Sequence, residues 1–257
     1  MAISLADIKK STIGPPRIVL YGVPGIGKTT LAACASRPIF LPIEDGLGRL
    51  EVPAFPQPQS YEQVAEAINA LLSEPHEFDT FVIDSLDKLE PLIWQQVCKE
   101  GGKKSIEEFG YGKGYVRAAD LWRDLLFGFD ALRDSGMAVV AIAHSAVVKF
   151  EDPNTDPYDR YQLRLHKTAD AVVCDWADAV LFATTKVTAV KSGPEGSERR
   201  RGVSDGSRVL YTTERPAWRA KNRYGMPPVI NIPDNDPRAA WAEVESFIVP
   251  ATTATTN

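Results

Sequence analysis

The sequence predicts an α/β fold built on a doubly wound, mostly parallel sheet that is flanked by helices. Short apolar runs alternate along the chain with amphipathic stretches of helical periodicity. Several runs are apolar at successive positions, which is typical of parallel strands that are covered on both faces. After Ala183 the runs become shorter and alternate around a polar loop. We therefore expect a β-rich C-terminal extension of the same sheet.

The strands are predicted from apolar runs. Five runs form the parallel part, at residues 17–21, 38–43, 80–83, 137–143 and 179–183. Two shorter runs, 187–190 and 208–213, predict the extension. Helices are predicted at 28–36, after a capping box of Ser60 and Gln63, at 115–134 before Gly136, and from Asp236 and Pro237 to about residue 247.

The composition is that of an ordinary globular protein, with 44% hydrophobic and 25% charged residues in a chain of 257. We expect a single domain over residues 14–248, an N-terminal segment at 1–13 and a disordered tail at 249–257. The first residues lack the pattern of a secretory signal, and no apolar run has the roughly 18 residues of a membrane span. Three cysteines in no metal-like spacing indicate reduced thiols. These features predict a cytoplasmic protein without a membrane partner.

A glycine-rich motif between the first strand and the first helix fits the pattern G-x-x-x-x-G-K-[ST]. It comprises Gly22, Val23, Pro24, Gly25, Ile26, Gly27, Lys28 and Thr29, with Thr30 next. Such a loop turns consecutive backbone N–H groups toward phosphates, while the lysine bridges the β- and γ-phosphates and the hydroxyl ligates Mg²⁺. The motif predicts a site for ATP and Mg²⁺. We expect the Lys28 side chain to face solvent.

Asp84 ends the apolar run 80–83 and is the candidate for the second Mg²⁺ ligand beside Thr29. The alternative is that Asp84 only caps the next helix, for which Ser85 would serve as well. Because Ser85 follows Asp84, the adjacent position supplies no carboxylate for water activation.

Glu44 ends the run 38–43, and strand ends of a doubly wound sheet gather at one crevice. We therefore predict Glu44 as the general base, with Asp45 as the second choice. The alternative is that both are turn residues before Gly46.

Two further polar features are candidates for the same chemistry. His144 follows the run 137–143, although a lone histidine is also compatible with a structural role. Lys221 and Arg223 are spaced i and i+2, so that in an extended segment both would point to one side and reach one phosphate. The alternative for this pair is a solvated basic turn.

The chain from about residue 14 to 247 resembles phage-encoded RecA-like ATPases of the Sak type. The resemblance lies in YGVPGIGKTTLA, FDTFVIDSLDKLEPLIW, EEFGYGKGYVRAA, VVAIAHSAVVKFEDP, YDRYQLRLHKTADAVVCDWADAVLFA and AKNRYG. It implies a RecA-like core and a DNA-stimulated ATPase that acts on single-stranded DNA in phage recombination, annealing or replication. Further implied partners are a single-strand DNA-binding protein and other copies of the chain, in a ring or filament.

The resemblance also implies roles for individual residues. In RecA-type ATPases the catalytic glutamate lies at the place of Glu44, and AAA+ ATPases typically have it at the place of Ser85. The place of His144 holds a polar residue that reports the γ-phosphate to a DNA-binding loop. The segment KNRYG is similar to KNRFG of RadA and to the Lys-x-Arg-x-Gly segment of DnaB-type helicases. The resemblance implies that Lys221 and Arg223 act on a neighbouring subunit's nucleotide.

Three segments have the composition of a nucleic-acid contact. Residues 186–223 carry a local charge of +6, from ten Lys and Arg against four Asp and Glu, and include Arg199, Arg200 and Arg201 on an expected hairpin loop. Segments 101–115 and 145–166 lie where RecA proteins keep their DNA loops and mix cations with aromatic rings, as single-strand binding requires. The cations and rings are Lys103, Lys104, Phe109, Tyr111, Lys113, Tyr115, Lys149, Phe150, Tyr158, Arg160, Tyr161 and Arg164. The alternatives are a mobile lid or subunit contact, and for the whole chain a nucleotide-gated assembly protein.

Overall fold

The computed structural model describes residues 14–192 and 199–248. Its elements in chain order are β1 (Arg17–Gly22), α1 (Lys28–Ala32), β2 (Pro38–Pro42), α2 (Tyr61–Ser73), β3 (Thr80–Asp84), α3 (Leu86–Gly101), α4 (Lys113–Asp134), β4 (Ala138–Phe150), β5 (Tyr158–Leu163), α5 (Lys167–Trp176), β6 (Ala179–Thr185), β7 (Thr188–Ser192), β8 (Arg199–Val203), β9 (Arg208–Tyr211), β10 (Lys221–Asn222), β11 (Val229–Ile232) and α6 (Pro237–Ile248). The expected segment 1–13 and tail 249–257 lie outside the described residues.

The main sheet has the strand order β11-β9-β6-β1-β4-β3-β2. Strands β2, β3, β4, β1 and β6 pair in parallel, and β9, β10 and β11 join antiparallel beyond β6. The prediction of a mostly parallel α/β sheet with a β-rich extension is therefore confirmed. Strands β7 and β8 are the exception, because they pair only with each other as a separate hairpin.

Apolar cores cover both faces of the sheet. On one face Phe81 and Phe129 are fully buried between the sheet and helices α2 to α5. On the other face Leu20 and Trp241 pack among residues of α1 and α6. The central strands are buried on both faces, which explains why they read as continuous apolar runs.

A side-chain cap begins helix α2 at its predicted start. The Ser60 hydroxyl accepts from the Gln63 backbone N–H at 3.4 Å and begins α2 as expected, while Gln63 returns its side chain to the Gln59 N–H. Helix α1 is shorter than predicted, ending at Ala32 rather than near residue 36.

Strand β4 is longer than predicted. It continues past Ala143 to Phe150, and its second half pairs antiparallel with β5, with Ser145 opposite Leu163 and Phe150 opposite Tyr158. Most of segment 145–166, which was expected at the place of a DNA loop, thus forms a β-hairpin over residues 145–163, the β4–β5 hairpin.

Candidate active site

A cavity of about 600 Å³ lies at the carboxyl ends of the parallel strands. The lining residues are Gly25, Gly27, Lys28, Thr29, Thr30, Glu44, Asp45, Gly46, Leu47, Arg49, Leu50, Asp84 and His144. Strands β1, β2 and β3 end here and β4 continues past this point. The P-loop follows β1 and Glu44 follows β2, whereas Asp84 is the last residue of β3 and His144 lies within β4. The structure thus brings together most of the predicted site, from segments separated by up to 119 residues of sequence.

The glycine-rich motif of residues 22–29 forms a phosphate-binding type of loop, a P-loop, which needs glycine at two of its positions for different reasons. A Cβ at Gly22 would lie 2.1 Å from the carbonyl oxygen of Ala183, since β1 and β6 approach closely there. Gly27 has a φ of 97°, in the left-handed region that a residue with a Cβ rarely adopts. The loop therefore curls at the end of β1 as the motif predicted.

Lys28 is buried, so the expectation of a solvent-facing side chain is wrong. Its ammonium group donates to the carbonyl oxygens of Gly22 and Val23, each at 3.1 Å. Burial lowers the pKa of Lys28, and the nearby carboxylates of Asp84 and Glu44 oppose that shift. The P-loop holds its own lysine because it curls around the amine.

The Thr29 hydroxyl donates to Asp84 Oδ2 at 2.6 Å. Burial raises the pKa of Asp84, and the hydrogen bond from Thr29 opposes this. The helix cap is Ser85, so Asp84 is not itself the cap of α3.

A hydroxyl and a carboxylate so close to each other fit Mg²⁺. This ion prefers oxygen ligands and is usually bound by only one or two protein carboxylates, together with waters and phosphates. Within residues 14–192 and 199–248, no group of three or more His, Cys, Asp or Glu could hold a metal ion.

Glu44 lines the cavity two residues after the end of β2. The Ser85 hydroxyl donates to Glu44 Oε1 at 3.0 Å, and Lys88 Nζ lies 3.5 Å from Oε2. The neighbouring Asp45 also lines the cavity but is exposed. Because Glu44 is anchored by two groups from the start of α3, its carboxylate has a defined place beside Asp84.

His144 lies opposite Gly22 in the pairing of β4 with β1 and lines the cavity. Its backbone N–H donates to Asp87 Oδ1 at 2.9 Å, and its ring Nδ1 lies 3.1 Å from both oxygens of Asp87. Asp87 was not predicted. It stands three residues after Asp84, but its partner is 57 residues away, and such a pairing has no local sequence signal.

Lys221 and Arg223 are not brought to this cavity within the chain. Lys221 pairs with Val180 at the start of β6, and Arg223 Nη1 lies 3.1 Å from Asp178 Oδ1. Lys221 Nζ donates to the last carbonyl groups of α5, those of Cys174 and Asp175. The pair therefore lies at the amino-terminal ends of the parallel strands, whereas the P-loop lies at their carboxyl ends. The six residues of β1 span the distance between them, which is roughly 17 Å.

The candidate nucleic-acid segments have mixed outcomes. Lys103, Lys104, Tyr111 and Lys113 are exposed, as is Lys149 on the β4–β5 hairpin. Arg160 is buried instead, with Nη2 donating to Glu214 at 2.5 Å and the guanidinium 4.7 Å from the Phe150 ring. Arg199, Arg200 and Arg201 lie in strand β8 rather than in a hairpin loop.

Arg208, a residue of the basic segment 186–223, also contacts the P-loop. The sequence did not indicate this contact. Its Nη1 donates to the carbonyl oxygen of Ile26 at 3.2 Å, and its Nε donates to Asp234 at 3.0 Å. A Cβ at Gly27 would lie 2.7 Å from this guanidinium. The extension of the sheet thus supports the loop that the first strand begins.

Comparison with known proteins gives a family and a relative. The AAA domain family model matches residues 14–224. A relative of Bacillus subtilis (strain 168), the SPbeta prophage-derived uncharacterized protein YorG, is 25% identical over 216 residues, which are 80% of this chain and 59% of the relative. The chain thus spans less than two thirds of that protein.

Two solved structures align with most of the chain at low similarity. The RadB recombinase aligns with a TM-score of 0.46 and 13% identity, covering 86% of this chain and 89% of its own. The flagellar accessory protein FlaH from Methanocaldococcus jannaschii aligns with a TM-score of 0.41 and 11% identity, covering 85% and 86%.

No helix in the described parts of the chain has the length and apolar character of a bilayer crossing. The family match covers the P-loop, the strand-end carboxylates and the sheet that positions them. The chain belongs to the AAA domain family of P-loop proteins.

Proposed function

We propose that this chain is an Mg·ATP-dependent ATPase with a RecA-like core that acts on single-stranded DNA in phage recombination, annealing or replication. The observation that supports it best is the one cavity in which Lys28, the Thr29–Asp84 pair and Glu44 converge. Membership of the AAA domain family implies nucleotide binding and hydrolysis. The DNA substrate and the RecA-like assembly are the steps that the proposal adds.

In this proposal each residue of the cavity has a separate role in ATP hydrolysis. The P-loop amides and Lys28 would hold the phosphates, and Thr29 with Asp84 would hold Mg²⁺, which would neutralise phosphate charge. Glu44 takes the proton of the attacking water. The Ser85 hydroxyl binds only its Oε1, and Lys88 Nζ, at 3.5 Å from Oε2, pairs with the charge of the carboxylate and leaves that oxygen able to accept the proton. Asp45 is the second choice for this base.

The position of Lys221 and Arg223 supports an assembly of several copies. At the amino-terminal ends of the strands they are too far from their own P-loop to touch its nucleotide. A neighbouring copy in a ring or filament would receive the pair at its cavity. Cations supplied in this way raise hydrolysis by roughly 10³–10⁵ in P-loop enzymes.

The support for DNA comes from the surface around the cavity. The β4–β5 hairpin continues directly from His144 and exposes Lys149, and segment 101–115 exposes lysines beside Tyr111. Exposed cations next to aromatic rings suit the phosphates and bases of a single strand. The prophage-derived relative supports a phage origin. A single-strand DNA-binding protein is a further partner of this proposal.

One observation favours a second candidate, a nucleotide-gated assembly or partner-binding protein. Arg160 and Arg164 of the hairpin are both paired with carboxylates, Glu214 and Asp87, and are thereby less available to phosphates. In that case nucleotide would change the assembly, and DNA would leave turnover unaffected.

The test is steady-state phosphate release by the wild-type chain with and without single-stranded DNA, with Glu44→Gln as the background control. We expect Mg²⁺-dependent hydrolysis that DNA stimulates several-fold and that Glu44→Gln abolishes. Hydrolysis that DNA leaves unchanged, together with no DNA binding, would exclude the DNA substrate and favour the second candidate.

A further inference from the structure

Asp87 is a buried carboxylate in the first turn of α3, with a side chain that is 3% exposed. Its Oδ1 accepts from the backbone N–H of His144, and its Oδ2 accepts from Arg164 Nη2 at 2.5 Å. The His144 ring, through Nδ1, is its third partner. One carboxylate thus joins α3 to the middle of β4 and to the residue that follows β5.

These contacts determine which nitrogen of the His144 ring carries a hydrogen and which one is left for the cavity. A carboxylate only accepts hydrogen bonds, so Nδ1 must carry the hydrogen that lies between the ring and Asp87. Burial would raise the pKa of Asp87, but the hydrogen bonds from Arg164 and from the His144 N–H outweigh burial and lower it. The carboxylate therefore stays ionised at neutral pH, and Nε2 is the ring nitrogen left for the cavity.

Arg164 gives the same carboxylate a connection to the β4–β5 hairpin. Its backbone N–H donates to the carbonyl oxygen of His144 at 2.9 Å, while its guanidinium holds Asp87. The base of the hairpin is thus tied to His144 through both main chain and side chain. A displacement of the hairpin would act on the ring through these two bonds.

We propose that Asp87 is a positioning residue of the ATPase site, which orients His144 toward the nucleotide and joins it through Arg164 to the β4–β5 hairpin. The role rests on the proposed function, because it concerns turnover in the same cavity. Asp87 itself touches neither the P-loop nor the Thr29–Asp84 pair through a hydrogen bond in the described residues.

The first test uses the ring nitrogens of His144, since the chain has only three histidines, His76, His144 and His166. Their ¹⁵N resonances can be assigned with single histidine substitutions, and they report which nitrogen carries the hydrogen in the neutral ring. In the wild type His144 should show the Nδ1–H tautomer. Asp87→Asn, whose amide can also donate, should change that pattern, because it removes the obligate acceptor.

The second readout is turnover, with Asp170→Asn as the matched control. Asp170 is also a buried carboxylate that holds an arginine, Arg219, but it lies outside the cavity. Asp87→Asn should lower kcat about tenfold or more and leave the KM for ATP within about twofold, an effect typical of lost orienting contacts. Asp170→Asn should change neither kcat nor the His144 tautomer.

A third comparison tests the link to the hairpin. Arg164→Gln should reduce the stimulation by single-stranded DNA, and Arg123→Gln, an exposed arginine paired with Asp120, should not. An unchanged His144 tautomer in Asp87→Asn, or an equal loss of kcat in Asp170→Asn, would overturn the proposal. The tautomer is measured without nucleotide, so it still decides the orientation of His144 if the wild type proves to hydrolyse no ATP and the proposed function fails.

Discussion

At the scale of single residues, the cavity contains buried side chains of opposite charge, and each charge stabilises the other. Lys28 and Asp84 are both buried, and each has its pKa shifted by burial toward its neutral form. Each is opposed by the other's charge. Removing one charge leaves its partner uncompensated. At the carboxylates the amide is therefore the informative substitution, because it at least preserves the shape of the side chain.

The first prediction separates the carboxylates around the P-loop. Glu44→Gln should retain Mg·ATP binding and lower kcat by roughly 10²–10⁴, because it removes a base and leaves Thr29 and Asp84 intact. Asp84→Asn should instead raise the Mg²⁺ concentration needed for half-maximal activity. Phosphate release and binding of a fluorescent nucleotide measure both effects. Asp45→Asn is the matched control, and if it alone stops turnover, then Asp45 and not Glu44 is the base.

The second prediction concerns Glu90, a buried residue of α3 whose carboxylate accepts from the His166 backbone N–H. Burial raises its pKa to about 7, against an ordinary value of 4.5. Between these values the folded state binds more protons than the unfolded chain, so the free energy of unfolding falls as pH rises and levels off above about pH 7.

Glu90→Gln removes this titration. Relative to the wild type, its free energy of unfolding should increase from pH 5 to pH 8 by on the order of 2 kcal/mol. Urea denaturation at several pH values measures the difference, with the exposed Glu66→Gln as control. A difference that is constant over this range would show that Glu90 does not change its protonation there.

At the scale of elements, strand β4 has two parts with different surroundings. The part up to Ala143 is buried between parallel neighbours, and its continuous apolar pattern made it predictable from sequence. Beyond His144 the strand is half exposed and pairs only with β5, so apolar and polar residues are mixed. Its extent depends on that antiparallel partner and not on local pattern, which is why the sequence placed a loop there.

The same difference between local pattern and tertiary partner explains which other features could be predicted from the sequence. The P-loop, the Thr29–Asp84 pair and Glu44 were predictable because they follow apolar strands, whose carboxyl ends must meet. The contacts of Asp87 with His144 and of Arg208 with Ile26 join residues 57 and 182 positions apart. Such pairs depend on the tertiary arrangement. The run 187–190 was wrongly assigned to the main sheet, because a strand pattern is the same in either setting; it forms β7 and pairs with β8, whose residues 199–201 were expected in a loop.

The third prediction assigns a role to the tip side of the β4–β5 hairpin. Lys149 is exposed there, whereas Arg160 on the opposite strand is held by Glu214. Lys149→Ala should weaken single-stranded DNA binding and reduce the salt dependence, the slope of log K against log salt, by about 1. Fluorescence anisotropy at several salt concentrations measures this. Lys99→Ala, an exposed lysine paired with Glu62, is the control, and equal effects of the two changes would contradict a specific role for the hairpin.

At the scale of the whole molecule, the cavity lies at the carboxyl ends of the parallel strands, and the Lys221–Arg223 pair lies at their amino-terminal ends. Strand β1 spans the distance between them, from Arg17, which is paired with Asp178 beside Arg223, to Gly22 of the P-loop. A rigid sheet cannot bring these two ends together within one chain. In the proposed assembly the Lys221–Arg223 pair of one copy would reach the cavity of the next, and each added copy would complete one more site.

The fourth prediction is that turnover depends on assembly. If the pair acts on a neighbour's nucleotide, specific activity should rise with protein concentration until the assembly is complete. Arg223→Ala should bind ATP normally, since its own P-loop is intact, but it should release almost no phosphate, since no copy supplies an intact pair. Light scattering and phosphate release over the same concentration range measure this. Activity that is independent of concentration in a monomeric sample would contradict it.

The most direct test of this arrangement mixes two inactive variants in the presence of single-stranded DNA. Lys28→Ala lacks the phosphate-binding amine but retains its basic pair, and Arg223→Ala has the converse defect. In a mixed assembly a Lys28→Ala subunit can supply its intact pair to the intact P-loop of an Arg223→Ala subunit. We predict that mixing restores a measurable fraction of the wild-type rate of phosphate release, although each variant alone is inactive. No recovery at any mixing ratio, with both variants folded and co-assembled, would contradict an active site shared between subunits.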